Sequence, residues 1–137
     1  MTGHGLPTPA PTVSPESRPY WDATAEGRLL LPRCEDCSAL IWYPRGFCPA
    51  CSSSRIAWVE ASGRGTVYSY TVLHRGAMGP YRGAEPYVLA YVELEEGPRV
   101  LTNLVDCDPQ AIAIGDPVQA VFAETGAGPS LVRFSPR

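Results

Sequence analysis

Cys34, Cys37, Cys48 and Cys51 are the residues whose type and spacing could do chemistry. They form two Cys-x2-Cys pairs separated by ten residues. Each pair suits a knuckle, a tight turn that aims two thiolates at one metal ion, and the linker lets two knuckles face each other and complete a tetrahedron. A chance set of buried cysteines would need this spacing to arise twice independently. Zinc, d10 and redox-inert, suits four thiolates, and iron in a rubredoxin-type centre takes the same ligands. Four protein ligands leave no open position, so the predicted role is structural and not the activation of water.

Elsewhere the sequence offers little catalytic equipment. Cys107 stands apart from the cluster and reads as a small buried hydrophobe, with His74 the sole histidine outside the N-terminal tail. Glu93, Glu95 and Glu96 lie at a hairpin beside Gly97 and Pro98 and read as a solvated turn. No set of nucleophile, base and orienting group emerges. The connection His74 to Pro86 (HRGAMGPYRGAEP) carries Arg75, Met78, Tyr81 and Arg82, and Met78 and Tyr81 would be costly to display without a contact.

Formal charge −3 and pI near 5.3 argue against a partner gripped through nucleic-acid phosphates. All 11 basic residues are arginine, so any anion site must use guanidinium groups or backbone N–H donors. Five cysteines at this spacing suggest reduced thiols and metal rather than disulfides. No apolar run approaches a membrane span and no secretory signal is evident, so a cytoplasmic protein with no membrane partner is expected.

These side chains need elements to position them. Residues 1–17 are rich in Pro, Thr, Ser and Gly and predict a disordered tail, His4 within it. Residues 18–27 predict a short helix, with Pro19 in its first turn and Gly27 past its end. Tyr20, Trp21, Thr24 and Ala25 would share one face that must dock on the chain or on a partner, since so short a helix is unstable alone. Residues 18–62 thus form a unit of helix and metal ribbon. From residue 63 the pattern is all-β, with GRG at Gly63 to Gly65 as a turn between modules. Val67 to Leu73, Tyr87 to Leu94, Val100 to Val105, Val118 to Phe122 and Leu131 to Phe134 read as five strands. Asp108, Pro109 and Gly115 frame a short helix between the third and fourth strands, the layout of an OB-fold barrel over 63–137. The predicted class is mainly β: helix, rubredoxin-like zinc ribbon, five-stranded barrel.

The ordered segments RLLLPRCEDC, IWYPRGFCPACSS, IAWVEASGRGTVYSYTVLHR and EPYVLAYVELEEGPRVLTNLVDCDP closely resemble the acyl-CoA-associated family that joins a rubredoxin-like zinc ribbon to an OB-fold. The resemblance spans about residues 18–135 and implies an accessory subunit, not an enzyme in its own right. Such subunits associate with thiolase-fold enzymes: thiolases, acyltransferases of polyketide-like pathways and steroid side-chain aldolases. It implies structural Zn2+ on Cys34, Cys37, Cys48 and Cys51, all four of which are retained. It also implies that ribbon and helix dock the partner, while the barrel helps enclose the CoA portion of an acyl-CoA. Arg75 and Arg82 are candidates for CoA phosphates, with Tyr81, Met78, Tyr20 and Trp21 as further contacts.

Two other functions share these modules. Single-stranded nucleic-acid binders use stacking aromatics, which Tyr68, Tyr70, Tyr87 and Tyr91 could supply, but they need a positive groove. Rubredoxin-like electron carriers typically place glycine after each knuckle, where Ser38 and Ser52 stand here.

Overall fold

The computed structural model describes residues 5–137, so His4 lies outside the described residues. Helix α1 (Arg18–Thr24) precedes a hairpin of β1 (Leu30–Cys34) and β2 (Ile56–Glu60). Five further strands follow: β3 (Arg64–Leu73), β4 (Tyr87–Leu94), β5 (Arg99–Leu104), β6 (Pro117–Glu124) and β7 (Ser130–Pro136). They close into a barrel in the order β3-β4-β5-β7-β6. The five predicted strands are all present. The helix expected between the third and fourth is a single 3-10 turn, Pro109–Ala111, where the Asp108 carboxylate accepts the Gln110 N–H. No described helix is long and apolar enough to cross a membrane.

Strand alternation builds the barrel interior. Val88, Ala90, Val92 and Leu94 of β4 are buried, while Leu89 and Tyr91 point outward. Phe134 is fully buried within the same cluster. Gly65 sits where an added Cβ would lie 2.6 Å from the Glu93 carbonyl oxygen, so the β3–β4 approach requires glycine. Closure is thinnest between β5 and β7, which run parallel and meet at one register pair, Leu104 with Phe134. The Val105 N–H donates to the Phe134 carbonyl (2.8 Å), and Thr102 Oγ1 donates across the seam to the Val132 carbonyl (3.0 Å).

Ribbon and barrel share one core. Leu29, Leu31 and Ala61 pack in the cluster that includes Val67, Val92 and Phe134, and helix α1 adds Tyr20 and Trp21. The helix docks on its own chain. Its buried residues are Tyr20, Trp21, Ala23 and Thr24; Ala25, expected on that face, is exposed although its backbone is still helical, because the buried side is centred between Tyr20 and Thr24 and includes Ala23 instead. Glu95 and Glu96, expected as a solvated turn, brace the junction. Ser62 Oγ donates to Glu95 Oε1 (2.9 Å) and the Ser62 N–H donates to Glu96 Oε2 (2.8 Å).

The segment expected as a disordered tail makes contacts over its described part. Val13 packs against the core, Ser14 and Ser17 exchange hydrogen bonds ahead of α1, and the Pro7 carbonyl accepts from Arg133 Nη2. Compositional reasoning counts apolar side chains, whereas this segment is held partly through its backbone.

Thr24 is the bolt between helix and barrel. Its hydroxyl donates to the Trp21 carbonyl (2.6 Å) and accepts the Ser130 N–H (3.0 Å), both buried. Thr24→Val keeps the shape but strands the Ser130 N–H. It should destabilise the fold by about 1–3 kcal/mol, read as a lower urea midpoint at unchanged slope, with Thr24→Ser close to the parent.

Candidate metal centre and contact surfaces

Hairpin β1–β2 pairs Leu30 with Glu60 through Cys34 with Ile56, and this register brings the first knuckle beside the second. The four cysteine sulfurs all lie within 4.8 Å of one another. Cys34 Sγ is 3.6 Å from Cys51 Sγ, and Cys37 Sγ is 3.5 Å from Cys48 Sγ. A tetrahedron with Zn–S bonds of about 2.3 Å has sulfurs about 3.8 Å apart. The donor set therefore fits a zinc ion with no position left for solvent.

The knuckles also supply N–H donors to sulfur. The Cys37 N–H points at Cys34 Sγ and the Ala50 N–H at Cys48 Sγ, each at 3.4 Å. The Cys37 N–H holds the Cys34 thiol down at about 6. At Cys51 the Ser53 N–H acts in the same direction, but proton sharing with Cys34, together with burial, pushes that thiol up to about 12. Outside the knuckles, Arg55 pairs with Asp36 (2.7 Å) and Glu35 (3.6 Å), and Ser53 Oγ donates to Asp36.

Ser38 and Ser52 follow the knuckles in left-handed backbone conformation, at φ 66° and 67°. These are the positions where glycine relieves strain. Their N–H groups close the turns onto the Cys34 and Cys48 carbonyls, at 2.9 and 2.7 Å.

The remaining predicted contact residues separate into two settings. Arg75, Met78 and Arg82 are exposed on the 74–86 loop, Met78 at 78%. That loop is organised, because Glu85 accepts the Ala77 N–H (3.0 Å) and the Gly83 N–H (2.8 Å). Its own backbone N–H, with those of Ala77 and Gly83, holds the Glu85 carboxyl below its usual range. Tyr20, Trp21 and Tyr81 instead line a cleft of about 340 Å³ with Trp42, Tyr43 and Arg133, floored by β5 and β7. Tyr20 meets Trp21 and Trp42 edge-on, at 4.8 and 5.2 Å between ring centroids. His74 is exposed, and Cys107 packs against the core with its thiol raised by burial and by Asp106, unlike an activated nucleophile.

Sequence reasoning missed Arg133 and named the barrel tyrosines Tyr68 and Tyr91 only as possible base-stacking residues. On β3–β5, Tyr68, Leu89, Tyr91 and Leu101 are 39–56% exposed, with Tyr91 and Leu101 register partners, whereas Tyr70 pairs with buried Ala90 past the β3 bulge and donates its hydroxyl to the Ile112 carbonyl. Arg99 sits over the Tyr68 ring at 3.9 Å. Period-two alternation was the available signal: the outward positions of these strands are large and apolar, not polar.

Two expectations follow for the ribbon. Cys48→Ser should release the metal, measured by elemental analysis, and unfold residues 28–58 in NMR spectra. Ser38→Gly should raise stability by about 0.5–1 kcal/mol by relieving left-handed strain, read from the thermal midpoint.

Comparison with known proteins completes the picture. Residues 21–57 match the family description "ChsH2, rubredoxin-like zinc ribbon domain", and residues 58–123 match "ChsH2, C-terminal OB-fold domain". A probable enoyl-CoA hydratase alpha subunit of Thermomonospora curvata is 40% identical over 93% of this chain; the chain spans only 40% of that protein's length. A DUF35 domain-containing scaffold protein of Methanocaldococcus jannaschii is 40% identical over 69% of this chain and 67% of its own. The benzoylsuccinyl-CoA thiolase subunit BbsA of Geobacter metallireducens is 38% identical over 53% of this chain and 47% of its own. The solved structure named Ltp2-ChsH2(DUF35) aldolase superposes with TM-score 0.83 at 38% identity, covering 93% of this chain and 98% of that one. With both modules matched in order over most of its length, the chain belongs to the DUF35 family of ChsH2-type zinc-ribbon and OB-fold proteins.

Proposed function

We propose that this chain is a non-catalytic accessory subunit that docks on a thiolase-fold enzyme and helps form its acyl-CoA site. The observation that carries the reading is the outer face of β3–β5, where four large side chains, Tyr68, Leu89, Tyr91 and Leu101, stand exposed on adjacent strands. Isolated exposed apolar residues are ordinary, but a contiguous aromatic set is a hallmark of interfaces. Relatives named as a thiolase subunit, an aldolase component and a scaffold protein support the choice of partner. Zinc on Cys34, Cys37, Cys48 and Cys51 serves as a fastener, since four thiolates leave no site for substrate.

Docking falls to the barrel face more than to helix α1, whose aromatic side chains are spent on the internal core. In this arrangement the exposed Arg75 and Arg82 on the 74–86 loop can reach CoA phosphates at the edge of the complex. The reaction itself, whether condensation, acyl transfer or carbon–carbon cleavage, belongs to the partner.

Co-expression with a thiolase-like gene adjacent in the operon should give a single co-eluting complex in size-exclusion chromatography. Tyr91→Glu and Leu101→Glu should each weaken that complex by about 2 kcal/mol or more, roughly thirtyfold, with unchanged circular dichroism. Separate elution of the two proteins, with no acyl-CoA bound to the mixture, would refute the proposal.

A further inference from the structure

Arg133 is 2% exposed, yet no carboxylate pairs with it among the described residues. Its Nη2 donates to two neutral acceptors, the Pro7 carbonyl and the Tyr81 hydroxyl (3.1 Å). Its Nη1 is buried with no hydrogen-bond partner. Trp21 Nε1, on a residue 9% exposed, is likewise buried and unpartnered. Both residues line the same cleft, whose other walls include Tyr20, Trp42 and Tyr43. A buried guanidinium is tolerated when an anion neutralises it, and buried donors are normally satisfied.

From these observations we propose that the cleft binds a small ligand with an oxyanion, carboxylate or phosphate, on a flat apolar body. The oxyanion takes hydrogen bonds from Arg133 Nη1 and Trp21 Nε1, and the body lies among the aromatic side chains. A volume of about 340 Å³ suits a compact ligand. Because both nitrogens are sealed from solvent, entry requires the cover over Arg133, formed in part by Tyr81 and the segment at Pro7, to shift. The inference stands on the cleft alone and does not depend on a thiolase-fold partner.

The test uses the full chain, zinc-loaded, with benzoate, phenyl phosphate and inorganic phosphate as probes. Binding is read from the indole N–H resonance of Trp21 in 15N-correlated NMR spectra, assigned through Trp21→Phe. Benzoate or phenyl phosphate should move that resonance downfield in a saturable way. A response to benzoate alone identifies a carboxylate site, and a response to phenyl phosphate alone identifies a phosphate site. Inorganic phosphate, lacking the flat body, should bind on the order of tenfold more weakly than phenyl phosphate. Arg133→Met should abolish the response. Should that variant fail to fold, Trp21→Phe, which keeps an aromatic ring but loses the N–H, should weaken binding on the order of tenfold by calorimetry. An indole resonance unmoved by both aryl probes, or equal affinity in Trp21→Phe, would overturn the proposal.

Discussion

Four sulfurs held within 4.8 Å of one another constitute a problem that only a cation resolves. As thiolates they repel, and as thiols they make weak contacts in a segment whose own core is little more than Cys34, Ile41 and Cys48. A tetrahedral metal ion removes the repulsion and fixes both knuckles at once. In zinc-finger peptides such binding contributes about 10–16 kcal/mol, more than the whole stability of a small domain. The consequences run outward along the β1–β2 hairpin. Its far end is tied at the sulfurs, while its near end delivers Leu29, Leu31 and Ala61 to the barrel core. The linker between knuckles carries Trp42 and Tyr43, which become one wall of the cleft against α1. The segment that the metal ties at both ends thus also supplies a wall of the cleft.

The barrel meets a different constraint, that of closing a sheet with five strands. Gly65 allows β3 and β4 to approach, and a register shift between Val67 and Ser69 bends β3. The last gap, between β5 and β7, is spanned by one register pair and the Thr102 hydroxyl. Helix α1 and the N-terminal segment both make contacts with β7, through Thr24 to Ser130 and Pro7 to Arg133. A helix of 7 residues could not persist by propensity alone. Its place is fixed because the thinnest part of the barrel needs cover.

The features most legible in the sequence were those governed by local spacing. The cysteine pairs fix a knuckle by chain geometry, and the five β runs are separated by turn residues. Asp108 and Pro109 announced a helical turn but could not announce its length, because one capping bond suits a 3-10 turn as well as a helix. Arg133 was illegible for a physical reason. Beside Val132 and Phe134 it reads as the outward residue of an alternating strand, yet Arg133, Phe134 and Ser135 are all buried. The cover on the outer face of β7 comes from distant chain, Tyr81 at 52 residues and Pro7 at 126 residues from Arg133, a tertiary relation that no local pattern encodes. Ala25 failed similarly, since the docked side of the helix is set by tertiary contact and takes Ala23 in its place.

Two surfaces of this molecule are left energetically incomplete, and they differ in kind. The β3–β5 face keeps apolar area in water, at about 25 cal/mol per Å², a term that grows with area and is relieved by any well-fitting cover. The guanidinium of Arg133 has surrendered hydration for two neutral acceptors, a loss of several kcal/mol for an unpaired ion that only a specific anion can offset. The first selects for shape and the second for charge. Because Leu101 lies on the exposed face while also lining the cleft, the two surfaces adjoin along β5. A body covering the face therefore borders the mouth of the cleft.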